Sequence, residues 1–216
     1  MKYICSLAIL TTIALHAADE ATIQDGKARL QKAANITKEL FDMLEDGAQY
    51  AYGENVNQKE HALQCATIAR QARASEAIQI ACLFHDIGHH HSFQQAQMGS
   101  FGGQHHEEVG AQFMDEKGFN EQVVALIKGH VDAKRYLVAK NPSYYEKLSE
   151  ASKQTLMHQG GPMTDQETQT FEQQPYFEDI LCLRSFDEEA KQPDMETVPR
   201  KELLNMVLVH LCKHMD

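Results

Sequence analysis

The stretch LFHDIGHHH, residues 83–91, sets an imidazole and a carboxylate side by side after an apolar run, with three further imidazoles just beyond. A charge carried into a protein interior without a partner is costly, so Asp86 needs compensation, and a metal ion would supply it. Other candidate ligands follow along the chain: His61 upstream, and His106, His130 and Asp187 downstream. Together with His85 and Asp86 they make four imidazoles and two carboxylates, without a thiolate. That mixture suits iron or manganese, and also zinc. Six protein ligands exceed what one catalytic ion with open positions accepts. They match two ions, with Asp86 as the natural bridge because a carboxylate offers two oxygens. Adjacent residues of a helix diverge by about 100°. The His85–Asp86 pair is therefore expected where a helix ends and unwinds, as Gly88 suggests.

The elements that must position these residues read as helices. ANITKELFDMLEDGAQY (34–50) carries Ile36, Leu40, Met43 and Leu44 at helical spacing, with Gly47 as a stop. NQKEHALQCATIARQARAS (57–75) turns Ala62, Cys65, Ala66 and Ala69 inward. In SEAIQIACLFHDIG (75–88), Ser75 is a cap and Gly88 an end. A loop with Gly99, Gly102 and Gly103 follows, then helices over 105–118 and 120–140, the latter ending before Asn141-Pro142. The segments 143–163, 164–192 and 198–215 add more helix, the last with Leu203, Leu204, Val207, Leu208 and Leu211 for packing. No repeat, useful strand pattern or domain boundary after residue 30 is visible. The expected fold is all-α, a helical bundle with a metal centre in its core, the ligands projecting inward from several helices.

Composition narrows the function. The 216 residues are 43% hydrophobic and 24% charged, enough for one domain with a real core. The formal net charge of -11 comes without a basic stripe, which argues against nucleic acid as a partner. Five cysteines without a C-x-x-C read as reduced thiols. The N-terminal MKYICSLAILTTIALHAADE resembles a signal peptide or is an extra N-terminal helix (1–18), ahead of a main domain over 28–216. Its apolar run is too short for a stable membrane span, and the cytoplasm is the favoured location. Met43, Met98, Met114 and Met157 read as core filler, and His158, His210 and His214 as surface residues. His90, His91 and His105 read as solvated.

The order H…HD…H…H…D, His61 to Asp187, resembles the metal signature of the HD-domain superfamily of helical metalloenzymes. Around it, YGENVNQKEHALQCA (52–66), QHHEEVGA (104–111), GHVDAKRYLVAK (129–140), LSEASKQTLMHQGGPM (148–163) and LRSFDEEAKQPD (183–194) are similar to its phosphonate oxygenases. That resemblance, from about residue 36 onward, implies a mixed-valent Fe(II)/Fe(III) centre of two iron ions and O2 as co-substrate. The implied substrate is a small organophosphonate, a 1-hydroxy-2-(substituted amino)ethylphosphonate. Its C–P bond would be cleaved to phosphate and glycine or a derivative such as glycine betaine. The resemblance also implies that His61, His85, Asp86 and Asp187 hold one ion, and Asp86, His106 and His130 the other. It places His89, Lys134, Ser152, Thr155 and Arg184 at the phosphonate and Glu54 at the substrate's cationic amine. The residue chemistry agrees for two of these. Lys134 lies four residues after His130 and Arg184 three before Asp187, so each shares a helix face with a proposed ligand. A lysine and an arginine beside a metal pair suit an oxyanion, which arginine can bind bidentately. The family's lid tyrosine corresponds to Ala51 here, with Tyr50 and Tyr52 on either side to replace it. Two other readings stand beside this one: a metal-dependent phosphohydrolase using the same ions to activate water, and a non-catalytic ligand-binding domain.

Overall fold

The computed structural model describes residues 4–93 and 95–215, with side-chain surroundings from residue 22 onward. Ten α-helices make up the described chain: α1 (Ile4–Asp46), α2 (Gln58–Gln71), α3 (Glu76–Phe84), α4 (His106–Glu116), α5 (Glu121–Lys140), α6 (Pro142–Lys147), α7 (Glu150–His158), α8 (Asp165–Phe171), α9 (Phe177–Glu189) and α10 (Arg200–His214). Short 3-10 turns occupy Gly47–Gln49 and Ile87–His89. Among the described residues no strand forms, only an isolated antiparallel bridge between Gln97 and Gly103. The expected all-α bundle is what forms.

Most helices begin where a short polar side chain accepts a backbone N–H that the first turn cannot satisfy. Asn57 and Glu60 form a reciprocal capping box at α2, and Thr164 and Glu167 another at α8. Ser75, Asn120 and Ser149 cap α3, α5 and α7. Asn141-Pro142 does more than end α5. Asn141 caps α6, and the proline sits in its first turn, where its missing N–H costs nothing. The segment 143–163, expected as one helix, is divided at Leu148 and Ser149 into α6 and α7.

At the centre, α3 buries all but two of its residues, as befits a helix apolar nearly all round. It packs on α2, α5 and α9, while α4 lies along α5. The core joins Leu40 and Phe41 of α1, Ile80, Leu83 and Phe84 of α3, and Leu126 and Ile127 of α5 with Ile180 and Leu183 of α9. Two glycines set approaches that other residues would prevent. A Cβ on Gly88 would lie 2.0 Å from the His106 carbonyl oxygen, and one on Gly129 would lie 2.8 Å from Ile180 Cδ1. The first lets the turn after α3 touch the start of α4. The second lets α9 close on α5 beside His130.

Some expectations fail. His210 is buried rather than on the surface, stacked on Phe119 and 3.1 Å from Glu76. Met157 is 72% exposed and fills no core, whereas Met98 and Met114 do. The described cysteines Cys65, Cys82, Cys182 and Cys212 are free thiols, as expected. The backbone of residues 4–21 continues α1, but their side chains and residues 1–3 lie outside the described residues, and with them the choice between signal peptide and extra helix. Among the described residues no helix is long and apolar enough to cross a membrane.

Candidate metal centre and anion pocket

The centre gathers where α2, the end of α3, the start of α4, α5 and α9 meet. His61 projects from α2, His130 from α5 and Asp187 from α9. α3 stops at Phe84, so His85 and Asp86 fall between it and the 3-10 turn, the break that lets neighbours point the same way. His106 is the first residue of α4. All four of these imidazoles are buried.

Their tautomers follow from what lies behind each ring. Nδ1 of His61 is 2.8 Å from the Ala190 carbonyl oxygen, that of His85 is 2.9 Å from Cys82, and that of His130 is 2.7 Å from Ile127. A carbonyl only accepts, so each Nδ1 carries the proton and each Nε2 presents a lone pair. Yet Nε2 of His61 faces Nε2 of His85 at 3.1 Å, and Nε2 of His106 faces that of His130 at the same distance. At the first pair two lone pairs face each other and repel unless a proton or a cation lies between them; at the second, His130 presents a lone pair and His106, whose Nδ1 has no partner, can present another when its proton sits on Nδ1. The donor set thus fits a metal at each pair.

Asp86 stands between the pairs. Its Oδ2 is 3.8 Å and 3.6 Å from Nε2 of His61 and His85. Its Oδ1 is 3.4 Å and 3.6 Å from Nε2 of His106 and His130. One carboxylate therefore offers an oxygen to each pair, the arrangement a bridging ligand requires. Asp187 Oδ1 joins the first pair, 3.2 Å from His61 Nε2. Burial opposes ionisation of both carboxyls. The His85 and His106 imidazoles nevertheless hold Asp86 well below the usual carboxylate range, and the Arg184 guanidinium does so for Asp187. Burial, followed by the neighbouring imidazoles, pushes His130 well down, so it is neutral and available to a metal at neutral pH.

His89 also comes within ligand distance of Asp86 and His106, and its ring stacks on that of His106 at 3.8 Å. Its tautomer is the opposite one. Nδ1 accepts the Gly103 N–H at 2.9 Å, so in the neutral ring Nε2 carries the proton and points toward Asp86 Oδ1, 3.9 Å away. That makes His89 a hydrogen-bond donor at the centre.

A partly open cavity lies over the centre. Lys134, buried on α5, donates to Thr155 Oγ1 at 2.9 Å. Burial, then the nearby Arg184 cation, lowers its pKa to about 7. Arg184 spends Nη1 on Asp187 at 2.6 Å, Nη2 on Glu188 and Nε on the Tyr144 hydroxyl at 3.0 Å. It lines the cavity, and Nη2, though paired in charge with Glu188, makes no hydrogen bond. Ser152 and Thr155 line the same wall. Tyr52, held in the left-handed region at φ 45°, sits over the centre with its hydroxyl 3.3 Å from the His89 carbonyl oxygen. Tyr52 thus takes the place beside the cavity, and Ala51 is exposed. Glu54 is already engaged, accepting from Ser149 Oγ at 2.6 Å and from Lys191 Nζ at 3.0 Å. Sequence reasoning missed Lys191, a third cation on this cavity, although its spacing of four from Asp187 was a usable signal. His90 is not solvated as expected: its side chain is only 10% exposed and lies 3.3 Å from Asp46, whereas His105 and His158 are exposed.

The HD-domain family description matches residues 59–174. The chain is 41% identical over 177 residues to the [1-hydroxy-2-(trimethylamino)ethyl]phosphonate dioxygenase (glycine-betaine-forming) of Leisingera caerulea, covering 82% of this chain and 89% of that one. It is 40% identical over 154 residues to the hydroxymethylphosphonate dioxygenase of Gimesia maris, covering 70% and 76%. It is also 32% identical over 211 residues to an uncharacterized protein of Acanthamoeba polyphaga mimivirus, covering 97% and 95%.

Proposed function

This chain belongs to the HD-domain family, among its phosphonate dioxygenases, and we propose that it cleaves the C–P bond of a 1-hydroxy-2-(substituted amino)ethylphosphonate with O2. The products are phosphate and glycine or a derivative such as glycine betaine. The observation that carries the two-ion part of this reading is Asp86, whose two oxygens divide between two pairs of imidazoles with facing Nε2 atoms. In the proposed site His61, His85, Asp86 and Asp187 hold one iron, and Asp86, His106 and His130 the other.

When bound, the ions supply O2 activation and a Lewis-acid grip on the substrate's oxygens. The chain supplies the rest. Lys134, with Ser152 and Thr155 beside it, binds the phosphonate by charge-assisted hydrogen bonds. Arg184 adds positive charge to that pocket while gripping Asp187, and so ties anion binding to the metal ligand. His89, proton on Nε2, donates to an oxygen of the reacting end. Tyr52 closes the cavity over the centre and excludes water. Glu54 takes the substrate's cationic nitrogen, sharing its carboxylate with Lys191.

The test is phosphate release by anaerobically purified protein loaded with Fe(II), given the trimethylammonio phosphonate with and without O2. Phosphate only with O2, together with glycine betaine, is the expected result. Phosphate without O2 would make the centre hydrolytic and overturn the reading.

A further inference from the structure

A second, partly open cavity adjoins the anion pocket at Asp86. Its walls are Met43 and Leu44 of α1, Ala62 of α2, Leu83 of α3 and Ile87, with Gly47, Tyr50 and His90 also lining it. Lysine and arginine are missing from its lining, whereas Lys134, Arg184 and Lys191 line the first. The two cavities share a thin wall: Tyr52, Gln58, Asp86 and His89 face both. The stacked rings of Tyr50 and Tyr52, 5.7 Å apart, stand along the loop side.

We infer that this apolar cavity is the seat and entry route of O2, reaching the centre at Asp86 while the phosphonate occupies the cationic pocket. The inference rests on the oxygenase reading above. Its physical basis is the contrast between the two spaces. A phosphonate dianion cannot shed its water into walls of Met, Leu, Ala and Ile without compensation. A small molecule with neither charge nor dipole meets no such cost, and apolar cavities stay dry and take up apolar guests such as xenon. Two substrates must also be present together. A reactant using the same mouth would have to share the cationic pocket with the bound phosphonate. The apolar cavity reaches Asp86 along walls of its own, and both can then be in place at once.

The test uses xenon as an inert stand-in for O2 and needs no turnover. Crystals of the iron-loaded full chain are pressurised with xenon, and steady-state kinetics are measured on Met43→Trp and Leu44→Phe, two changes that fill the cavity from α1. Xenon density against Met43, Leu44 and Leu83 is expected. With it, the KM for O2 should rise about fivefold or more while the KM for phosphonate stays within about twofold. Either variant alone suffices if the other does not fold. O2-dependent phosphate release without xenon in the cavity would overturn this inference and leave the oxygenase reading standing. Xenon in the cavity with an unchanged KM for O2 in the filled variants would likewise overturn the route. Phosphate release without O2 would remove both.

Discussion

His61, His85 and Asp187, the first half of the proposed ligand set, are each gripped from behind: two by backbone carbonyls, the third by Arg184. The second half is less evenly held. His130 has the Ile127 carbonyl at its back, but buried Nδ1 of His106 has no hydrogen-bond partner. Glu107 Oε2 stops 3.6 Å away and is itself without a partner. Outer partners of a metal-binding histidine fix its orientation and raise its basicity, and their loss typically weakens metal binding 10- to 100-fold. The contrast teaches that the first half is preorganised for its ion, while the second gains its last hydrogen bond only when His106 and Glu107 close together. The ion held by His106 and His130 is accordingly the one that a chelator should remove first.

The strongest way to break this comparison is Asp86→Ala, which removes the only ligand common to both halves. Elemental analysis should find both ions lost and turnover at background; two ions retained per chain would refute the bridge. His106→Ala should instead leave about one ion per chain, held by the first half, and its complete loss of metal would refute the asymmetry. Next in size, Lys134→Ala removes a buried cation from the anion pocket. We expect the KM for phosphonate to rise at least about tenfold with a smaller change in kcat, as for a ground-state contact. Unchanged kinetics would take Lys134 out of the site. Glu107→Gln sharpens the contrast: the second ion should bind about tenfold more weakly while the first is unaffected, read by competition with a metal indicator.

The smallest effect is one of pH. Lys134, with a pKa of about 7 in the free protein, is charged below that pH and neutral above it. The kcat/KM for phosphonate should therefore fall as pH rises through about 7. Lys134→Arg stays charged throughout, so the ratio of wild type to variant should decline over that range. A flat ratio would mean that the lysine's charge does not bind the substrate.

How much of this was legible in the sequence varies with the distance over which the signal acts. The helices that carry ligands announced themselves through local periodicity and caps, and Asn57 and Ser75 cap the helices that were expected there. Asn141-Pro142 signals only a stop locally, because its second role as the start of α6 depends on the chain turning back. His210 looked like a surface residue because its partners, Phe119 and Glu76, lie far away in sequence. Lys191 had a local signal in its spacing from Asp187, but its pairing with Glu54, 137 residues upstream, is set only by the fold. The ligand set itself was readable from types and spacing, but not the tautomers that separate His89 from its neighbours. Those depend on which backbone groups stand behind each ring, and only the fold determines that.

The central claim is a pair of ions sharing Asp86, and the most direct test is to count them. The protein is loaded anaerobically with Fe(II), freed of excess metal, and its iron measured per chain beside His106→Ala. The account predicts about two for the wild type and about one for the variant. One iron per chain in both would contradict it, leaving His106 and His130 without an ion and the facing imidazoles to be explained by a shared proton.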